Sequence, residues 1–89
     1  MKSITTSKFW RHYDALPEEV QRRADRAYEL WQMNPQAHGL YFKRVGKQQP
    51  VYSVRIGRGH RALGLLEGDA ILWFWIGTHD EYERLLKHL

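Results

Sequence analysis

At Leu40 the chain changes its apolar period, and within 89 residues that single change leaves few folds open. Upstream, Val20, Ala24, Ala27 and Trp31 recur at steps of four, three and four residues, one face of a helix. Phe9, Trp10, Tyr13 and Leu16 mark a shorter helix before it. Pro17 suits the first turn of the second helix, and Glu18 and Glu19 follow where the positive helix end favours acids. Asn34-Pro35 stops it, so the two segments predict a helical hairpin with one buried side. Downstream the period is two. LYFKRV, VYSVRI, HRALGLL and AILWFWI are short runs rich in β-branched and aromatic residues, separated by VGKQQP, GRG and EGD. These predict a four-stranded antiparallel meander, and Lys2 to Thr6 is a further candidate strand outside it. Thr78-His79-Asp80-Glu81 has the form of a capping box, opening a last helix of about ten residues with Tyr82, Leu85, Leu86 and Leu89 as its apolar stripe. The expected fold is α+β: an N-terminal helical hairpin packed on a four-stranded antiparallel meander with a C-terminal helix, one domain over residues 1–89.

Composition removes several function classes. So short a chain leans on large side chains for its core, and 13% of this one is aromatic. With no cysteine there is no disulfide framework, no thiolate metal site and no cysteine nucleophile. His12, His38 and His88 show neither an HxH nor an HExxH arrangement, so no metal is assigned. GRG is a hairpin turn and not a nucleotide cradle; no cofactor is expected. The longest apolar run, Ala70 to Ile76, is too short to span a bilayer, and MKSITTSKFW lacks the apolar stretch of a signal peptide. The expectation is a cytoplasmic protein with no membrane partner.

Charge is distributed unevenly. Residues 1–37 carry six Lys/Arg against five Asp/Glu, and residues 67–89 carry five acids against two bases. Between them, residues 38–66 hold Lys43, Arg44, Lys47, Arg55, Arg58 and Arg61 with no acid at all. That block suggests a polyanion or an acidic protein as partner, against the plainer reading of a solvated basic face. All six are candidate nucleic-acid-binding residues. The turns estimate the register: with GRG as a three-residue loop and Gly59 left-handed, Ile56 opposes His60 and Arg55 opposes Arg61. Looping VGKQQP so that Val45 faces Val51 sets Lys43 opposite Ser53 and Tyr41 opposite Arg55. One sheet face then presents Tyr41, Lys43, Ser53, Arg55 and Arg61, while Tyr52, Val54 and Ile56 face the hairpin. Two guanidiniums side by side repel unless an anion lies between them.

His79, close after the last strand, should come near Arg61, with Tyr82 its neighbour on the helix surface. Lys43, Arg55, Arg61, His79 and Tyr82 form a constellation suited to phosphodiester cleavage by a 2′-hydroxyl. The Arg would stabilise the developing phosphorane, His79 would act as general acid or base, and Lys43 would favour the attacking alkoxide. Each has a structural reading too: Tyr82 belongs to an apolar stripe, and His79 at a helix start is open to solvent. Trp73 and Trp75, two apart on the last strand, are expected to share one face and pack on the helices.

Taken in order, FKRV, VYSVRIGRGHRALGLLEGD and ILWFWIGTHDEYERLL resemble the RelE/ParE toxin superfamily of type II toxin–antitoxin modules, most specifically from Tyr52 to Tyr82. The resemblance implies a microbial-RNase-like fold, cytoplasmic action and neutralisation by a cognate acidic antitoxin. In the RelE-like branch it implies metal-independent cleavage of mRNA on the ribosome, with Arg61 on the phosphorane, Lys43 and Arg55 assisting, and His79 and Tyr82 near the places of a C-terminal catalytic His or Tyr. Asp80, Glu81 and Glu83, on a helix that continues past those places, depart from that pattern. IGTHDEYERLL also resembles the ending of ParE-like members, which poison DNA gyrase without nuclease chemistry. A toxin-fold protein retained only for binding is the third reading.

Overall fold

The computed structural model describes residues 1–89. The elements run β1 (Lys2–Thr5), α1 (Ser7–Asp14), α2 (Glu18–Met33), β2 (Lys43–Arg44), β3 (Val51–Ile56), β4 (His60–Glu67), β5 (Ala70–Thr78) and α3 (His79–Leu86). They build one sheet of order β1-β5-β4-β3-β2, with the α1–α2 hairpin on one face and α3 on the other. The sheet has five strands where the sequence led to four, because Lys2–Thr5 pairs in parallel with Ala70–Trp73. Its meander portion, β2 to β5, is antiparallel throughout.

Each face carries its own core. Val54, Ile56, Ala62, Ile71, Trp73 and Ile76 pack against Ala24 and Trp31 of the hairpin. On the other face Val51, Leu63 and Trp75 close around Tyr82, flanked by Leu85, Leu86 and Leu89. Trp31 is almost fully buried between the rings of Phe42 and Trp73, both edge-on at 5.7 and 5.3 Å, and its indole N–H meets no oxygen or nitrogen acceptor. An apolar cleft of about 180 Å³ opens between hairpin and sheet. The polar groups around it satisfy one another: Trp10 Nε1 donates to Thr5, Tyr28 to Ser3 and Tyr13 to Asp25.

Four expectations need correction. Trp73 and Trp75 lie on opposite faces: Leu63 pairs with Trp75 and Gly64 with Trp73, so Phe74 is an extra residue that switches the side-chain alternation. Gly64 makes this possible, since a Cβ there would come within 2.7 Å of Ile71 and 2.9 Å of the Trp73 ring. In the GRG turn it is Gly57, at φ +60°, that takes the left-handed conformation, not Gly59. The first meander strand, expected over residues 40–45, is reduced to Lys43–Arg44. Tyr41 sits at φ +48°, and Arg55 N–H donates to Leu40 C=O at 2.7 Å where the regular register would use Tyr41. The last strand runs to Thr78, two residues beyond Ile76, so His79 starts α3 at once.

Candidate functional site

The GRG turn and the strand pairing it imposes build the site. Arg55 faces Arg61 and Ile56 faces His60 across the β3–β4 hairpin, and Lys43 faces Ser53 across β2–β3. His79 arrives through two constraints. His60 pairs with Thr78, and the His79 N–H donates to Gly59 C=O at 2.8 Å, tying the start of α3 to the hairpin turn. Thr78 then caps α3: its hydroxyl accepts from the Glu81 N–H at 3.2 Å, while its own N–H and hydroxyl both donate to the Glu81 carboxylate. Those bonds hold the Glu81 carboxyl below its ordinary pKa.

The result is a cavity of about 310 Å³ lined by Tyr41, Lys43, Ser53, Arg55, Arg61, His79, Tyr82, Glu83 and Leu86. All five residues of the predicted constellation are in it. Of the six basic residues in the acid-free block, Lys43, Arg55 and Arg61 line it and the others do not. Arg44 pairs with Tyr52, hence on the hairpin side of the sheet, and donates to Gly46 C=O. Lys47 and Arg58 lie in the flanking loops, exposed.

The two guanidiniums are held together by the turn they flank. Arg55 Nε donates to Gly57 C=O at 3.0 Å. Arg61 Nη1 reaches the carbonyls of Gly57, Arg58 and His60 at 3.4, 3.2 and 2.8 Å. Each also rests on an aromatic ring, Arg55 on Tyr41 at 5.3 Å and Arg61 on Tyr82 at 5.9 Å. Burial, and then the neighbouring Arg55, bring the Arg61 pKa below its ordinary value, with Tyr82 and Glu83 opposing. Backbone dipoles and π faces therefore offset the repulsion without neutralising either cation.

Tyr82 is buried and donates to the buried Ser53 hydroxyl at 3.3 Å, which makes it the floor under Arg61. His79 Nε2 faces the Glu83 carboxylate at 3.2 Å, an i,i+4 pair on the surface of α3. Tyr41, which the register estimate already set on this face, and Glu83 line the cavity outside the five-residue constellation. The helical spacing from His79 to Glu83 was the available signal for the second, whereas no residue type announces the left-handed backbone of the first.

The family model for the ParE-like toxin domain matches residues 18–84. The chain belongs to that family. No curated protein matches it in sequence. Solved structures share its fold at low identity. A YoeB/ParE toxin from Agrobacterium tumefaciens superposes with a TM-score of 0.68 at 16% identity, over 89% of this chain and 99% of that one. The RelB–RelE antitoxin–toxin complex of Methanococcus jannaschii matches with a TM-score of 0.69 at 17% identity, over 92% and 96%. The isolated Escherichia coli RelE toxin gives 0.65 at 12% identity, over 99% and 98%. The chain is thus of the RelE/ParE superfamily, a toxin of the toxin–antitoxin class with the RelE-like α+β fold.

Proposed function

We propose that this toxin is a metal-independent endoribonuclease that cleaves mRNA on the ribosome in the cytoplasm. The observation that carries the reading is the pair Arg55–Arg61, two cations fixed side by side over a cavity that also holds Lys43 and His79. A phosphodiester is the anion such a site suits. In the reaction the 2′-hydroxyl attacks the adjacent phosphorus and the bond to the 5′-oxygen breaks, leaving a cyclic phosphate and a free 5′-hydroxyl. Arg61 and Arg55 would take the charge of the phosphorane, which forms where preorganised donors are most effective. His79, paired with Glu83 and bordering the same cavity, would move the proton, and Lys43 would favour the alkoxide. Tyr82 would hold Arg61 in place from beneath.

An acidic antitoxin segment is the proposed protein partner, since the charges that attract RNA attract carboxylates. The M. jannaschii relative is itself solved as an antitoxin–toxin complex, and the Pyrococcus horikoshii one as a RelE–RelB complex. The second reading, a toxin that binds and poisons DNA gyrase, draws on the ParE-like family match and on Glu83 at the cavity wall.

Pulse-labelling after inducing this chain alone in bacteria separates the two. Protein synthesis falling while DNA synthesis continues supports cleavage; the reverse supports the gyrase reading, and no change in either supports the binding-only fold. Arg61→Ala should lower cleavage about 100- to 1,000-fold, the loss expected on removing one transition-state donor. A fully toxic Arg61→Ala protein would sink the mechanism.

A further inference from the structure

Tyr41 is the one non-glycine residue of the chain with positive φ, at +48°. A bulky side chain rarely takes that conformation without a compensating reason, and such strain gathers at binding sites. The strain does not serve burial, because Tyr41 is 57% exposed. It does turn the ring to the lip of the basic cavity, where the Arg55 guanidinium lies 5.3 Å from its centroid. Arg55 takes one side of the ring, and more than half of the residue's surface stays open. The slipped hydrogen bond from Arg55 N–H to Leu40 C=O holds this arrangement from the backbone.

We infer that Tyr41 is a base-stacking platform that receives an unpaired nucleobase next to the phosphate held by Arg55 and Arg61. The inference rests on the RNA-cleaving reading above and adds a subsite to it. Every base has a π face, so the platform selects single-stranded nucleic acid over duplex without selecting sequence. Duplex bases are already stacked and offer Tyr41 nothing. The phenol hydroxyl is not required; the ring is.

The test measures binding of the intact protein to an eight-nucleotide single-stranded RNA made 2′-O-methyl, so that no nucleophile is present, and to the duplex of the same sequence. Tyr41→Ala and Tyr41→Gly should both lose about 5- to 150-fold in single-strand affinity, while duplex binding is unchanged and Tyr41→Phe stays close to the parent. Glycine relaxes at φ +48° and alanine does not, so the Gly variant should unfold at higher urea than the Ala variant. Equal RNA losses at unequal stabilities tie the affinity to the ring and not to the backbone. Unchanged single-strand affinity in Tyr41→Ala overturns the platform alone. A parent protein that binds neither RNA overturns the platform, while the pulse-labelling above, done with ribosomes present, decides the RNA-cleaving reading separately. Lost growth arrest with intact RNA affinity assigns Tyr41 to a protein target and likewise overturns the stacking role.

Discussion

Arg61 makes three bonds to turn carbonyls and lies over the Tyr82 ring, so a lysine cannot replace it by charge alone. An ammonium is a compact point charge without the planar fork that bonds carbonyls and phosphate together. Arg61→Lys should therefore lose most of the growth arrest that Arg61→Ala loses, with far-UV circular dichroism unchanged; full toxicity would show that charge suffices. Tyr82 tests the other side of the contact. Its hydroxyl bonds Ser53 inside the core, so Tyr82→Phe should lower the unfolding free energy by about 1 kcal/mol in urea and leave toxicity intact. If toxicity disappears while stability holds, the phenol is chemical and not supporting. At this scale much of the site was legible. A three-residue GRG turn fixes which side chains oppose each other, and from that the Arg55–Arg61 pair followed. The flip of Trp75 was not legible as such, because an extra residue at Phe74 has no turn chemistry of its own. Gly64, isolated within a strand pattern, was the one mark of it.

α3 is the element on which the site depends, since it supplies His79, Tyr82 and Glu83. The capping box read from Thr78-x-x-Glu81 is formed by both reciprocal bonds. Thr78→Ala should cost about 1 kcal/mol of stability, measured by urea unfolding, and loosen the helix start that carries His79. Glu81 adds a pH dependence. Its folded pKa lies below the unfolded value near 4.5, so the stabilisation is present above that pH and is lost as pH falls through the lower folded value. Glu81→Gln should flatten stability between pH 5 and pH 3, by about the loss of one charge-assisted bond; a curve that keeps its slope would assign the effect elsewhere. β2 shows what pattern reading misses at this scale. LYFKRV has the composition of a six-residue strand, yet the left-handed Tyr41 confines the ladder to Lys43 and Arg44. β1 was visible as a candidate, but its parallel partner lies too far along the chain for local pattern to find it.

Across the whole molecule, tertiary burial shifts two titrating groups in opposite senses. His60 has a pKa below its ordinary value, mainly through burial, then through Arg23 and Arg61, with Glu81 opposing. The sign is therefore that of a group held neutral: its contribution is full above pH 6.5 and disappears as pH falls through the folded pKa. Stability should drop between pH 7 and pH 5, and His60→Gln should remove part of that drop in urea titrations. Tyr13 behaves oppositely. Burial and its bond to Asp25 push the phenol up to about 12, so that contact holds below pH 10 and weakens as pH rises through 12. The overall division of the fold, hairpin against meander with a capped last helix, could be read from the change of period at Leu40. The close of the sheet could not, since it depends on residues at opposite ends of the chain meeting.

The parallel pairing of β1 with β5 has a consequence for the order in which the chain folds. Ser3 accepts from the Trp73 indole, 70 residues later, and Lys2 N–H donates to Asp69 C=O. β1 must therefore stay unpaired until β5 is in place, the kind of distant contact that slows folding. The cavity waits longer still, because His79 and Glu83 come from α3, after every strand. Until α3 has docked, the basic block therefore has no assembled cavity. Assembly of the cavity is thereby made the last event of folding.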